Sequence, residues 1–177
     1  MRFAALISDP VQHSLYLYWL GKRGDRAMPA RADLDPVEMP RSALKDMGLI
    51  DVVEQGRDFR YRLVGTNNVS RMGVDITGRH ASAVYDGDYR DFLLAIYRQA
   101  VERRTCILST GEFGITGRSS LRTTRLLMPL SADGDAVDVI AYHNSSSISA
   151  PHALDPSAPH LAHAARELTR HLRCDYE

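Results

Sequence analysis

Cysteine is scarce in this chain. Cys106 and Cys174 are the only two among 177 residues, too few and too unpatterned for a disulfide framework or a zinc motif, which fits a reducing compartment. An excess of charge is missing too: Lys+Arg and Asp+Glu number 22 each, a net charge of zero. That argues against nucleic acid or an anionic membrane as the main partner, since both normally call for a basic surplus. Long apolar runs are absent. No window approaches the ~20 residues of a membrane span, and the apolar run at Phe3–Ile7 is cut short by Ser8 and Asp9, a poor signal peptide. The expected location is the cytoplasm. The sequence also lacks a nucleophile elbow and a Walker-type loop, so it assembles no catalytic constellation.

What is present is an ordinary globular composition, 44% hydrophobic and 25% charged, enough for one domain with short extensions and a full core. The most informative stretch is residues 59 to 79. Phe59, Tyr61 and Leu63 alternate with Arg60 and Arg62, the period of a strand with one face in a core and the other in water. Gly65 ends that strand, Thr66 is placed to cap a short helix through Val69 and Met72, and Gly73 supplies the left-handed closing residue. A strand running into a short helix and a glycine-closed loop shapes the mouth of a small-molecule pocket.

The string from Arg60 to Gly65, Gly-x-Asp-Ile-Thr-Gly-Arg at 73 to 79, Tyr18-Trp19, and Met-Pro-Ala-Arg-Ala-Asp-Leu-Asp-Pro at 28 to 36 together resemble the small, often stand-alone bacterial PAS-domain proteins. The resemblance covers about residues 15 to 145. It implies an α+β fold: a five-stranded antiparallel sheet with helices on one face, plus N-terminal and C-terminal helices. It implies three parts: a helix and proline-rich connection over 1–40, a PAS core over 41–145, and a linker with an amphipathic helix over 146–177. It also implies a sensing or interaction module whose ligand differs from member to member. The flavin-binding light-sensing signature of the family, a cysteine at the helix start, is missing, because residues 66 to 73 offer Asn67 and Asn68 but no thiol.

Taken in order, Asp9, Pro10 and Gln12 have the form of an N-cap, a first-turn proline and a capping-box partner. Val11, Leu15, Tyr18, Trp19 and Lys22 then fall at helical spacing until Gly21 or Gly24. Trp19 is a core plug or, with Tyr18, an anchor for a second subunit; a large aromatic at helical spacing usually serves packing. Residues 28 to 40 form an extended connection with a turn after Pro36, in which Arg31 beside Asp33 reads as an ion pair. Leu44 and Met47 extend a short helix to Gly48. Gly48–Val53 pairs with the 59–63 strand as a hairpin, which disfavours a parallel sheet. Tyr89, Phe92, Leu93, Ile96, Ala100 and Val101 mark a helix over 88–103 with Asp86 or Asp88 as cap. Strands follow over Thr105–Phe113, Ser120–Leu130 and Ala136–Asn144, the last two joined at Asp133-Gly134. Ser145 to Pro159 reads as a linker, and Leu161, Ala164, Ala165, Leu168 and Leu172 as an amphipathic helix.

Several residues carry a chemical reading beside a plainer one. His80 is the one histidine near the region that supplies an axial ligand in some haem-binding PAS domains, but it precedes the helix and reads as a polar loop residue. Gly111, Gly114 and Gly117 lack the strand-to-helix context of a phosphate cradle and read as a mobile connection. His160, His163, Glu167 and His171 spread over three turns, too far to close on one metal ion. His143 reads as a satisfied histidine near a strand end. The expectation is therefore a non-enzymatic, cytoplasmic sensor or adaptor, expected to be a homodimer, that binds a small ligand, a protein partner or both. No particular cofactor and no metal is assigned. Strand alternation and helix face select Tyr61, Leu63, Phe92, Ile96, Leu126, Met128 and Tyr142 as pocket residues. Two alternatives stand beside it: a small α+β pocket enzyme using acid–base chemistry, and a pure dimerisation module.

Overall fold

A computed structural model describes residues 3–114, 120–149 and 173–176 of the chain. Eleven elements organise it. Helices α1 (Pro10–Arg23) and α2 (Arg41–Leu44) precede a hairpin of β1 (Met47–Val53) and β2 (Asp58–Val64). Helices α3 (Thr66–Met72), α4 (Ala81–Val84) and α5 (Gly87–Arg103) come next. Strands β3 (Ile107–Gly114), β4 (Ser120–Leu130), β5 (Val139–Ser149) and β6 (Arg173–Tyr176) complete the sheet. The spatial order is β2-β1-β5-β4-β3-β6, every pairing antiparallel. The five expected strands are all there, and β6 extends the sheet beyond β3. Among the described residues, no helix is long and apolar enough to cross a membrane.

The sheet is covered on both faces. On the outer face lies α1, started by Asp9, whose Oδ1 accepts from the N–H groups of Val11 (2.8 Å) and Gln12 (2.9 Å), with Pro10 at the first helical position. Gln12 does not close a capping box. Its side chain turns to the sheet instead: Nε2 donates to the carbonyls of Thr124 and His143, and Oε1 accepts from Thr124 Oγ1, each at 3.1 Å. Two turns on, Trp19 is fully buried and its indole N–H donates to Pro129 O at 2.9 Å. Trp19 is therefore a core residue of its own chain and has no surface to offer a second subunit. Tyr18 is partly exposed and pins the proline-rich connection, accepting from Asp35 N–H and donating to Glu38 Oε2, each at 2.9 Å. In that connection Asp33 pairs with Arg26 at 2.7 Å rather than with Arg31, whose Nη1 donates to Leu34 O.

Inner-face packing comes from α3, α4 and α5. The longest of these, α5, buries Leu93, Leu94, Ile96, Tyr97 and Ala100, the i, i+3, i+4 spacing of one helical face. Gly73 closes α3 at φ +70°, in the left-handed region that its missing Cβ allows. Thr66 is the first residue of α3 rather than its cap; Gly65 holds the cap position, and Asn67 N–H donates to Lys45 O at 2.9 Å.

Other boundaries differ from expectation: β3 opens at Ile107 rather than Thr105, and β5 at Val139 rather than Ala136. Met47 opens β1 rather than extending α2, and β5 continues through the serines to Ser149, because Ser145–Ser149 pair with Ser120–Thr124 of β4. Ladder hydrogen bonds thus override a linker-like composition. Gly111 and Gly114 are part of β3, while Gly117 lies outside the described residues. So do the helix expected over 161–172 and the His160, His163, Glu167 and His171 row; Cys174 falls in β6.

Candidate functional site

Between the inner sheet face and α3–α5 is a cavity of about 110 Å³. Its walls hold five tyrosines (Tyr61, Tyr85, Tyr89, Tyr97 and Tyr142) and two arginines, Arg71 and Arg125. The sheet places three pairs there by register. Thr123, Arg125 and Leu127 of β4 stand opposite Ser146, Asn144 and Tyr142 of β5, and facing partners in an antiparallel pair share a face. All of these except Leu127 line the cavity. From β2 comes Tyr61, whose hydroxyl lies 3.1 Å from that of Tyr97 on α5. Its ring meets Tyr142 edge-on at 6.4 Å between centroids. Tyr85 and Tyr89 pack edge-on at 5.1 Å, and Tyr85 Oη reaches Met72 Sδ at 3.6 Å.

Polar groups form one connected run along the cavity wall. Asp46 Oδ1 pairs with Arg71 Nη2 at 2.5 Å, and the same Nη2 donates to Asn68 Oδ1 at 2.8 Å. Asn144 Nδ2 also donates to that Asn68 oxygen, at 3.0 Å. On its other side Asn144 Oδ1 accepts from Arg125 Nε at 2.9 Å, and Arg125 Nη2 donates to Tyr89 Oη at 3.3 Å. Helix α3, strands β5 and β4, and helix α5 are thereby tied through a few side chains. Such a run polarises along its length and couples the elements it joins.

Charge in this cavity is of one sign. Burial opposes ionisation of Arg125, but the surrounding phenol oxygens, Tyr89 foremost, favour it, and its pKa lies above the ordinary arginine value. Burial also pushes the phenols of Tyr61, Tyr85, Tyr97 and Tyr142 up, so they remain neutral at physiological pH. Asp46 already pairs with Arg71. Among the described residues Arg125 has no carboxylate partner.

Of the seven residues expected in the pocket, Tyr61 and Tyr142 line it. Leu63 does not: it is 48% exposed. The pairing shifts by one between Leu49 and Ile50, so Arg62 has no partner across the β1–β2 pair, and this bulge turns Leu63 to the outer face. There it joins Leu34, Met39, Leu49 and Ala141 in a shallow apolar groove. Leu126 and Met128 are buried but alternate with Arg125 and Leu127, which puts them on the outer face, under α1. Ile96 belongs to the closed core, and Phe92 is packed partly buried against it, neither on the cavity wall. His80 lies apart from the cavity, its Nδ1 3.0 Å from Asp58 Oδ2.

Pattern reading missed the rest of the lining, including Tyr85, Tyr89, Tyr97 and Arg71 and, most consequentially for the charge of the cavity, Arg125 and Asn144. β4 is buried on both faces beyond residue 125, so its apolar run Leu126–Leu130 hides the alternation that would show which side Arg125 takes. Tyr89 and Tyr97, eight residues apart on one face of α5, were the signal that could have marked the helical wall, in place of Phe92 and Ile96.

A family model described as "PAS domain" matches residues 7–141. The chain belongs to the PAS family. Among solved structures, a LOV protein from Rhodobacter sphaeroides is similar at 15% identity, over 58% of this chain and 63% of that one, with a TM-score of 0.41. The chain thus matches less than two thirds of that protein's length. Among curated proteins none matches. PAS domains are sensory signalling modules, and in this PAS protein the cavity sits between the antiparallel sheet and the helices that follow β2.

Proposed function

We propose that this PAS protein is a non-enzymatic sensor or adaptor that holds a small ligand in the tyrosine-lined cavity and passes the signal to a protein partner or through self-association. The observation that carries this reading is the origin of the cavity walls. Side chains from β2, α3, α5, β4 and β5 meet around one space, so occupancy changes the packing between elements distant in sequence. A ligand transmits a signal only by binding one arrangement better than another, and walls drawn from several elements give it that leverage. Against the enzyme alternative, none of the described residues lining the cavity is a carboxylate or an imidazole, while acid–base chemistry would need a group of tuned pKa there. The raised tyrosine pKa values point the same way. A dimerisation module anchored by Trp19 is disfavoured by its burial.

Thermal-shift screening of the full chain with metabolites and nucleotides tests the ligand branch. A ligand at a hundredfold its Kd adds about 2.7 kcal/mol of stability, a rise of several degrees. Absence of stabilisation by any compound would leave a partner-only adaptor.

A further inference from the structure

We infer that the cavity ligand is a small organic carboxylate, its anionic end on Arg125 and its body against the tyrosine rings, Met72 and Ile76. This deepens the sensor reading and rests on it. The first ground is the spare valence of Arg125. Its Nε is committed to Asn144 and one Nη2 proton to Tyr89, while Nη1 has no hydrogen-bond partner among the described residues. A guanidinium presents its donors as a planar fork matched to a carboxylate. The second ground is the missing counter-charge. An ionised group drawn partly out of water is normally paired. Here no carboxylate faces Arg125 among the described residues lining the cavity, and the other cavity cation, Arg71, is satisfied by Asp46 at 2.5 Å. The third is size and shape. A space of about 110 Å³ is smaller than the ~300–1,000 Å³ of drug-sized clefts, and its aromatic walls favour a flat or short apolar body over a nucleotide.

Asn144 makes the inference testable without removing the arginine. Asn144→Asp is close to isosteric and sets a carboxylate where Oδ1 already receives Arg125 Nε at 2.9 Å, so the chain would supply its own counter-ion. The probes are benzoate, phenylacetate and butyrate, each against its neutral amide, measured by calorimetry and thermal shift on the full chain, Asn144→Asp and Arg125→Gln. Circular dichroism checks that both variants fold. The expected result is that at least one carboxylate binds about tenfold or more tighter than its amide, and that both variants remove this preference. An amide binding as tightly as its acid, or a preference that survives both substitutions, would overturn the anion assignment while leaving a cavity ligand in place. If no carboxylate binds up to millimolar concentration, the assignment fails; binding of the amides or of other neutral compounds then decides whether the sensor reading survives it.

Discussion

Gln12 offers the sharpest test of how the N-terminal helix is held to the sheet. It is 1% exposed and makes three hydrogen bonds at 3.1 Å, two donated to main-chain carbonyls of adjacent strands and one accepted from Thr124. Gln12→Met keeps the length and volume of the side chain and removes all three. Each such bond is worth about 1 kcal/mol net, and stranded buried partners cost more, so the expected loss is about 2–4 kcal/mol. For a chain of this size 1 kcal/mol moves Tm by about 2–4 °C, giving a fall of about 4–16 °C by calorimetry. Gln12→Glu separates hydrogen bonding from packing. It aims an ionised oxygen at two carbonyls, which raises the folded-state pKa of the new acid above its unfolded value of about 4.3. Stability of that variant relative to the natural chain therefore increases as pH falls from 7 toward 5, since the folded state then binds the extra proton. A Gln12→Met variant within about 0.5 kcal/mol of the natural protein, or a Gln12→Glu variant with no relative gain at acid pH, would refute the proposed clamp.

Two other perturbations follow from the same geometry. A Cβ at Gly48 would collide with the Tyr142 ring and with the Leu63 carbonyl, which is backbone and cannot swing aside; Gly48→Ala is expected to cost about 1–3 kcal/mol in urea denaturation, and probe affinity should weaken as the Tyr142 wall shifts. Burial lowers the pKa of His143 below 6.5, against the pull of Asp46 and Asp9, so the unfolded chain takes up the proton first as pH falls. Stability is then full above pH 6.5 and declines below it, and comparison of denaturation midpoints at pH 7.5 and 5.5 should show a smaller decline in His143→Gln.

Local pattern was enough for most of the elements, though not for α4, β6 or the serine run that extends β5. The capped start of α1, the arginine-flanked strand, the glycine-closed α3, the stripe of α5 and the Asp133-Gly134 turn each follow from residues within a few positions of one another, where propensity, capping and periodicity act. Two of the seven pocket residues, Tyr61 and Tyr142, do line the cavity. Tyr61 was legible because Phe59 and Tyr61 alternate with the exposed Arg60 and Arg62, whereas β5 is buried on both faces from Val139 to His143 and gives no such signal for Tyr142. The cavity's charge was not legible. Whether Arg125 points inward depends on the β4–β5 register and on α1 covering the opposite face, and whether Leu63 points outward depends on a bulge beside Arg62. The partner of a side chain on another strand is set by long-range pairing, which leaves no local trace. Trp19 shows the same division: its helical phase was readable, but its burial under Pro129 O was decided when helix and sheet came together.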